Sequence, residues 1–140
     1  MHPQSEDIPL AQSRLDGHSI LILEDEYLIA MDVEQTCLDS GAREVTILRS
    51  LAELGDNPLD TLAFEAAILD LRLGGESTTQ FARQLVERRV PFVFATGLTD
   101  AGELAEGFPD VPVIGKPYSG DELVRVLAGV IEAKRSRCSA

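Results

Sequence analysis

The chain has 140 residues, 44% of them hydrophobic and 26% charged, the balance of a single folded domain and not of a disordered chain. Twelve Lys and Arg stand against 24 Asp and Glu, a net charge of −12, which opposes binding to nucleic acid or to an anionic membrane surface. Trp is absent, aromatics make up only 5%, and no apolar run nears the ~20 residues of a membrane helix, so base-stacking modules and membrane spans are excluded.

Residues 1–17 are polar, carry Pro3 and Pro9, end in Asp16-Gly17 and have no secretory h-region; they read as a partly mobile leader. Ser19–Leu23 is a continuous apolar run, as expected of a strand buried on both faces, and stops at Glu24-Asp25-Glu26. A helix over residues 27–40 follows. It sets Leu28, Met31, Gln35 and Leu38 on one face with Ile29, Val33 and Cys37 beside them, and Gly41 as its stop. A second strand, residues 44–48, and a short helix, 51–56, lead to Pro58. The third strand, 64–69, stops at Asp70; a loop over 72–77 holds Gly74-Gly75. A helix over 78–89 turns Phe81, Leu85 and Val86 inward. The fourth strand, 91–95, stops at Thr96-Gly97, and 101–106 is a weak, short helix at best. The fifth strand, 111–114, is followed by Gly115-Lys116-Pro117. The last helix, 119–135, opens on the capping box Ser119…Glu122 and buries Leu123, Leu127, Val130 and Ile131, leaving 136–140 as a tail. Lys134, Arg135 and Arg137 read as cations complementing that helix end.

Five strand–helix units predict an α/β domain over 18–135: a doubly wound, five-stranded parallel sheet with helices on both faces and a short or irregular fourth helix. Ligands in such folds bind outside the carboxyl ends of the strands. There the sequence delivers Glu24 and Asp25, then Asp70, Thr96 and Lys116, each at its own strand end. Three clustered carboxylates need a neutralising charge or a raised pKa; a hard divalent cation is the natural partner, and Mg²⁺ suits Asp25 and Asp70 as direct ligands with Glu24 acting through water. A carboxylate beside Mg²⁺ can attack phosphorus and become an aspartyl phosphate. Lys116 would then compensate phosphoryl charge and Thr96 would donate a hydroxyl hydrogen bond. Cys37 and Cys138 have no metal or redox spacing, and His2 and His18 offer no nucleophile–base pair, so reduced thiols and a cytoplasmic location are expected.

Ile20-Leu21-Ile22-Leu23-Glu24-Asp25-Glu26, Ala67-Ile68-Leu69-Asp70, Phe94-Ala95-Thr96-Gly97 and Gly115-Lys116-Pro117 together resemble the response regulator receiver family of two-component signalling. The resemblance spans about residues 18–135. It implies a flavodoxin-like sheet in the order 2-1-3-4-5 and Mg²⁺-dependent phosphorylation of Asp70 by a partner's phosphohistidine. It matches Glu24 and Asp25 to the family's acidic pair and the backbone carbonyl of Arg72 to the third protein ligand of the metal. It matches Thr96 and Lys116 to the phosphate-contacting hydroxyl and ammonium. The segment Pro91-Phe92-Val93-Phe94-Ala95-Thr96-Gly97, with Leu98 after it, is similar to the FATGUY receivers tied to general stress signalling, although Thr99 stands where an aromatic is expected.

Three features depart from ordinary receivers. Val113 occupies the place of the switch aromatic in the fifth strand. The stretch between Thr96 and Lys116 is broken by Gly97, Gly102, Gly107, Pro109 and Pro112, which makes it the expected mobile element. Arg72, two residues after Asp70, either tunes dephosphorylation or neutralises Glu24. No output domain is visible, so the resemblance implies a stand-alone response regulator, not a turnover enzyme. Its expected partners are a sensor histidine kinase or histidine phosphotransfer protein and a downstream protein, docking near residues 97–116 and the last helix. A phosphorylation-independent interaction module is the alternative reading, and a Mg²⁺-dependent phosphohydrolase the weaker one.

Overall fold

The computed structural model describes residues 14–97 and 101–139. Counting the strands of the main sheet, the elements are β1 (Ser19–Leu23), α1 (Tyr27–Asp39), β2 (Glu44–Leu48), α2 (Pro58–Thr61), β3 (Ala66–Leu69), α3 (Thr79–Arg88), β4 (Phe92–Thr96), α4 (Ala101–Gly107), β5 (Val113–Gly115) and α5 (Gly120–Ser139). All neighbours in the sheet are parallel and their order is β2-β1-β3-β4-β5. This is the expected doubly wound order, and the fourth helix is short.

Strand alternation divides the core. Ile20, Ile22, Ala66, Ile68, Val93, Ala95 and Ile114 face α1 and α5; Leu21, Leu23, Ala67, Leu69, Phe92 and Phe94 face α3 and α4. Burial on both faces explains why the central strands read as unbroken apolar runs.

Several details differ from the sequence expectations. In α1 the buried positions are Ala30, Val33 and Cys37, whereas Leu28 is 80% exposed and Met31 and Leu38 are also outward. The helix buries its small residues because α5 comes close: a Cβ on Gly120 would meet the Thr36 hydroxyl at 2.5 Å. Hydrophobic periodicity weighs apolar size, and here the tight helix–helix seam selects against it. Val86 in α3 is likewise half exposed, with Phe81, Ala82 and Leu85 carrying the buried face. The expected helix over 51–56 is a 3₁₀ turn, Leu51–Leu54, ended by Gly55, with α2 restarting at Pro58, where proline suits a first helical position. The loop over 72–77 is a small antiparallel ladder, Arg72–Leu73 against Glu76–Ser77, turned by Gly74 and Gly75 at positive φ.

At the last helix, the Ser119 hydroxyl accepts the Glu122 N–H at 3.0 Å, the serine half of the expected capping box. The helix continues to Ser139, beyond the expected end at 135. Residues 1–13 of the expected leader lie outside the described residues, as do Leu98 and Thr99. The remainder, 14–17, is packed: Leu15 is fully buried in the cluster under α1 and α5, and its N–H donates to the Ser40 carbonyl at 2.9 Å.

Gly41 allows that docking. Its φ is +97°, and a Cβ there would lie 3.0 Å from the Asp16 backbone. Gly41→Ala is expected to cost about 1–2 kcal/mol from the left-handed conformation, plus the displacement of residues 14–17. Thermal unfolding of the two chains checks this. Cys37 is free and buried; burial, reinforced by the Glu34 charge, pushes its thiol up to about 12, so it behaves as a small apolar group. Among the described residues no helix is long and apolar enough to cross a membrane.

Candidate functional site

The parallel sheet sends the carboxyl ends of β1, β3, β4 and β5 to one edge, and the chemistry collects there. Glu24 and Asp25 leave β1, Asp70 leaves β3, Thr96 ends β4, and Lys116 follows β5. Glu24 is only 3% exposed, Asp70 is buried, and Asp25 is partly exposed. One oxygen from each of Glu24, Asp25 and Asp70 lies within 4.8 Å of the others.

Backbone groups hold these carboxylates in place. Asp25 Oδ2 accepts the Gly74 N–H at 2.9 Å, which ties the β1–α1 turn to the small ladder after β3. Asp70 Oδ1 accepts the Arg72 N–H at 3.3 Å. Glu24 Oε2 accepts the Glu26 N–H at 3.0 Å. Beneath them the buried Thr78 hydroxyl donates to the Asp70 carbonyl at 2.8 Å, fixing the turn that presents the aspartate. Thr96 is 1% exposed, and its carbonyl accepts the Lys116 N–H at 2.8 Å. That bond closes the β4–β5 pair just below the site.

Lys116 enters from the far side. Its ammonium lies 2.8 Å from Asp70 Oδ2, 2.9 Å from Glu26 Oε1 and 3.3 Å from both Glu24 oxygens. The electrostatics follow from three carboxylates around one cation. Burial raises Glu24 above the ordinary carboxylate range, opposed by the Glu26 N–H and reinforced by the Asp70 charge. Burial alone would lower Lys116, but its hydrogen bonds to Asp70 and Glu26 outweigh this and hold the ammonium protonated. The Tyr118 phenol, raised by burial and then by the Glu24 charge, stays neutral beside the cluster.

The geometry thus joins Glu24, Asp25, Asp70 and Lys116 in one constellation, with Arg72 contributing its N–H and Thr96 its backbone at the rim. Hard oxygen donors at this spacing fit a divalent cation such as Mg²⁺. Sequence reasoning missed Glu26, Gly74 and Thr78. Glu26 was visible as the third acid of a run, but a solvated turn residue looks the same. Gly74 acts only through its backbone, and Thr78 looked like a helix start. A groove of ≈ 580 Å³ lies elsewhere, beside Val90–Phe92, Val111 and Val130 at the opposite end of the strands. It brings together no comparable set of charges.

Val113 pairs in register with Phe94 and packs against an aromatic cluster. Phe108, in the turn after α4, meets Phe94 at 5.2 Å and Phe92 at 6.5 Å between ring centroids. The aromatic bulk on this face therefore comes from β4 and the α4–β5 turn, not from β5.

No protein-family model and no curated protein matches the chain. Solved structures do. SdrG from Sphingomonas melonis Fr1 is 38% identical over 85% of this chain and 98% of that one, with a TM-score of 0.63. A response regulator receiver protein from Sinorhizobium medicae WSM419 is 24% identical over 86% of this chain and 98% of its own, with a TM-score of 0.73. A variant of the anti-anti-sigma factor PhyR from Bartonella quintana is 23% identical with a TM-score of 0.73. The last alignment covers 96% of this chain but 55% of PhyR, so the chain spans about half the length of that protein. At 23–24% identity the likeness is one of fold.

Proposed function

We propose, for a chain that belongs to the response regulator receiver family, that Asp70 accepts a phosphoryl group and that the phosphorylated form changes a protein–protein contact. The observation that carries this reading is the convergence of Glu24, Asp25 and Asp70 within 4.8 Å, with the Lys116 ammonium 2.8 Å from Asp70.

Glu24, Asp25, Asp70 and the backbone carbonyl of Arg72 would hold Mg²⁺, which supplies neutralising charge for phosphoryl oxygens. Asp70 is the nucleophile. Its carboxylate forms the new O–P bond as the P–N bond of a phosphohistidine breaks, and the imidazole leaves and regains its proton. The Gly74 and Arg72 N–H groups fix carboxylate orientation before the donor arrives. Lys116 would give a donor to a phosphoryl oxygen, and the Thr96 hydroxyl supplies a further hydrogen bond. This is self-phosphotransfer followed by hydrolysis, not turnover of a free substrate.

The donor is a sensor histidine kinase or histidine phosphotransfer protein, and the readout is a downstream protein, contacted through residues 97–116 and α5. PhyR from Bartonella quintana is an anti-anti-sigma factor, which supports a protein effector for this fold. The Phe94–Gly97 run supports the FATGUY assignment and a stress-signalling role in the cytoplasm. Residues 18–135 make up the receiver unit, with Leu15 packed onto it.

Acetyl phosphate labelling read by intact mass tests the proposal. The native chain is expected to gain one phosphoryl group with Mg²⁺ and none without it, and Asp70→Asn is expected to gain none. A folded native chain that stays unlabelled with several donors would overturn it in favour of the phosphorylation-independent module, for which Val113 in the switch position already speaks.

A further inference from the structure

An ammonium group has three N–H donors. In this site all three are matched: to Asp70 at 2.8 Å, to Glu26 at 2.9 Å and to Glu24 at 3.3 Å. The three acceptors are not equivalent. Glu24 and Asp70 are buried, belong to the cation-holding cluster, and each also accepts a backbone N–H. The Glu26 side chain is 60% exposed, and no backbone bond is needed to hold it. Its own N–H already positions Glu24, so its backbone and its carboxylate bracket the site separately.

We infer that the Glu26 carboxylate is a positioning residue that competes with the phosphoryl group for Lys116 and so weakens the hold of the site on a phosphoryl oxygen. The inference rests on the phosphoacceptor reading of Asp70. A phosphoryl group on Asp70 presents new acceptors to an ammonium whose donors are fully used, so one existing bond must be given up. Release of Glu26 is the cheapest exchange, because an exposed carboxylate regains its hydration. Yet the Glu26 carboxylate draws Lys116 toward the rim, and it repels a phosphoryl dianion two hydrogen bonds away. An exposed ion pair changes an equilibrium constant by about two- to fivefold, and the competition should have that size.

The experiment compares the full chain with Glu26→Gln and Glu26→Asp. Each is titrated with beryllium trifluoride, a tetrahedral phosphoryl mimic, in saturating Mg²⁺, followed by amide NMR shifts. Each is also melted without Mg²⁺ or mimic. Glu26→Gln is expected to bind the mimic about two- to fivefold more tightly while its Tm without ligand stays level or falls. Glu26→Asp, which keeps the charge, is expected to stay within about twofold of the native chain. A purely structural ion pair would move Tm and affinity down together. Equal or looser binding by Glu26→Gln, with the native chain binding normally, overturns the competition alone. Binding by none of the three overturns it together with the phosphoacceptor reading.

Discussion

Phe108→Ala is expected to lower the unfolding free energy by about 3–5 kcal/mol, the usual cost of truncating a buried phenylalanine whose cavity cannot collapse. For a domain of this size that is a fall in Tm of about 10–20 °C. The ring is 6% exposed and sits edge-on to Phe94 and Phe92, under the Arg83 guanidinium at 5.7 Å. It is the anchor of a weak segment. α4 has seven residues, two of them glycines, and Pro109 and Pro112 interrupt the chain before β5. Such a segment gains little from helix propensity, so its position depends on tertiary contacts. Phe108→Leu, which keeps most of the apolar bulk, is expected to cost less than half as much.

The consequence for the site runs through β4. Phe94 lies two residues before Thr96 on the same strand, and Thr96 is bonded to Lys116. Loosening the α4–β5 turn should therefore raise hydrogen exchange at the Lys116 amide more than at the Asp70 amide, which is held by Leu23 in β1. A urea melt and an exchange map of Phe108→Ala provide both numbers. A loss under about 1 kcal/mol would mean that the aromatic cluster does not hold this segment.

The sheet was legible because burial on both faces leaves unbroken apolar runs, and the strand-end rule then located Glu24, Asp25, Asp70, Thr96 and Lys116 without any contact information. What stayed hidden depends on size and on backbone. Periodicity sets Val33 and Cys37 beside the apolar face, but not Ala30; these small residues face inward because α5 approaches α1 closely at Gly120, while the larger Leu28 and Met31 point outward. Leu15 lies in a polar stretch and is buried only because Gly41 lets residues 14–17 run against the end of α1. Gly74 contributes an N–H to Asp25, and a backbone donor has no residue signature. Phe108 is a single aromatic among loop residues, and only the fold shows that it packs on Phe94 in the cluster that Val113 borders.

Lys116→Met is expected to cost about 2–4 kcal/mol at neutral pH. The change keeps the apolar stem and removes the cation, leaving Glu24 and Asp70 buried and facing each other without compensation. Breaking a buried pair by removing one partner costs about 3–5 kcal/mol, and the partial exposure of Lys116 trims that range. The pH dependence separates charge from packing. In the native chain burial already raises Glu24 above its ordinary 4.5, so folding takes up a proton there, and the Glu24 contribution weakens stability as pH rises above 4.5. Without the ammonium that shift grows. The deficit of Lys116→Met should therefore shrink as pH falls from 7 toward 5, where Glu24 can fold protonated. The ammonium itself, held protonated far above neutrality, adds no pH dependence of its own in this window. Mg²⁺ should restore more stability to Lys116→Met than to the native chain, because binding to the folded state alone stabilises by mass action and three carboxylates now lack a counter-charge. Urea melts at pH 7 and pH 5, each with and without Mg²⁺, measure all of this. A deficit that neither acid nor Mg²⁺ reduces would assign the role of Lys116 to its packed stem, and the acidic cluster would then be stable without a cation of any kind.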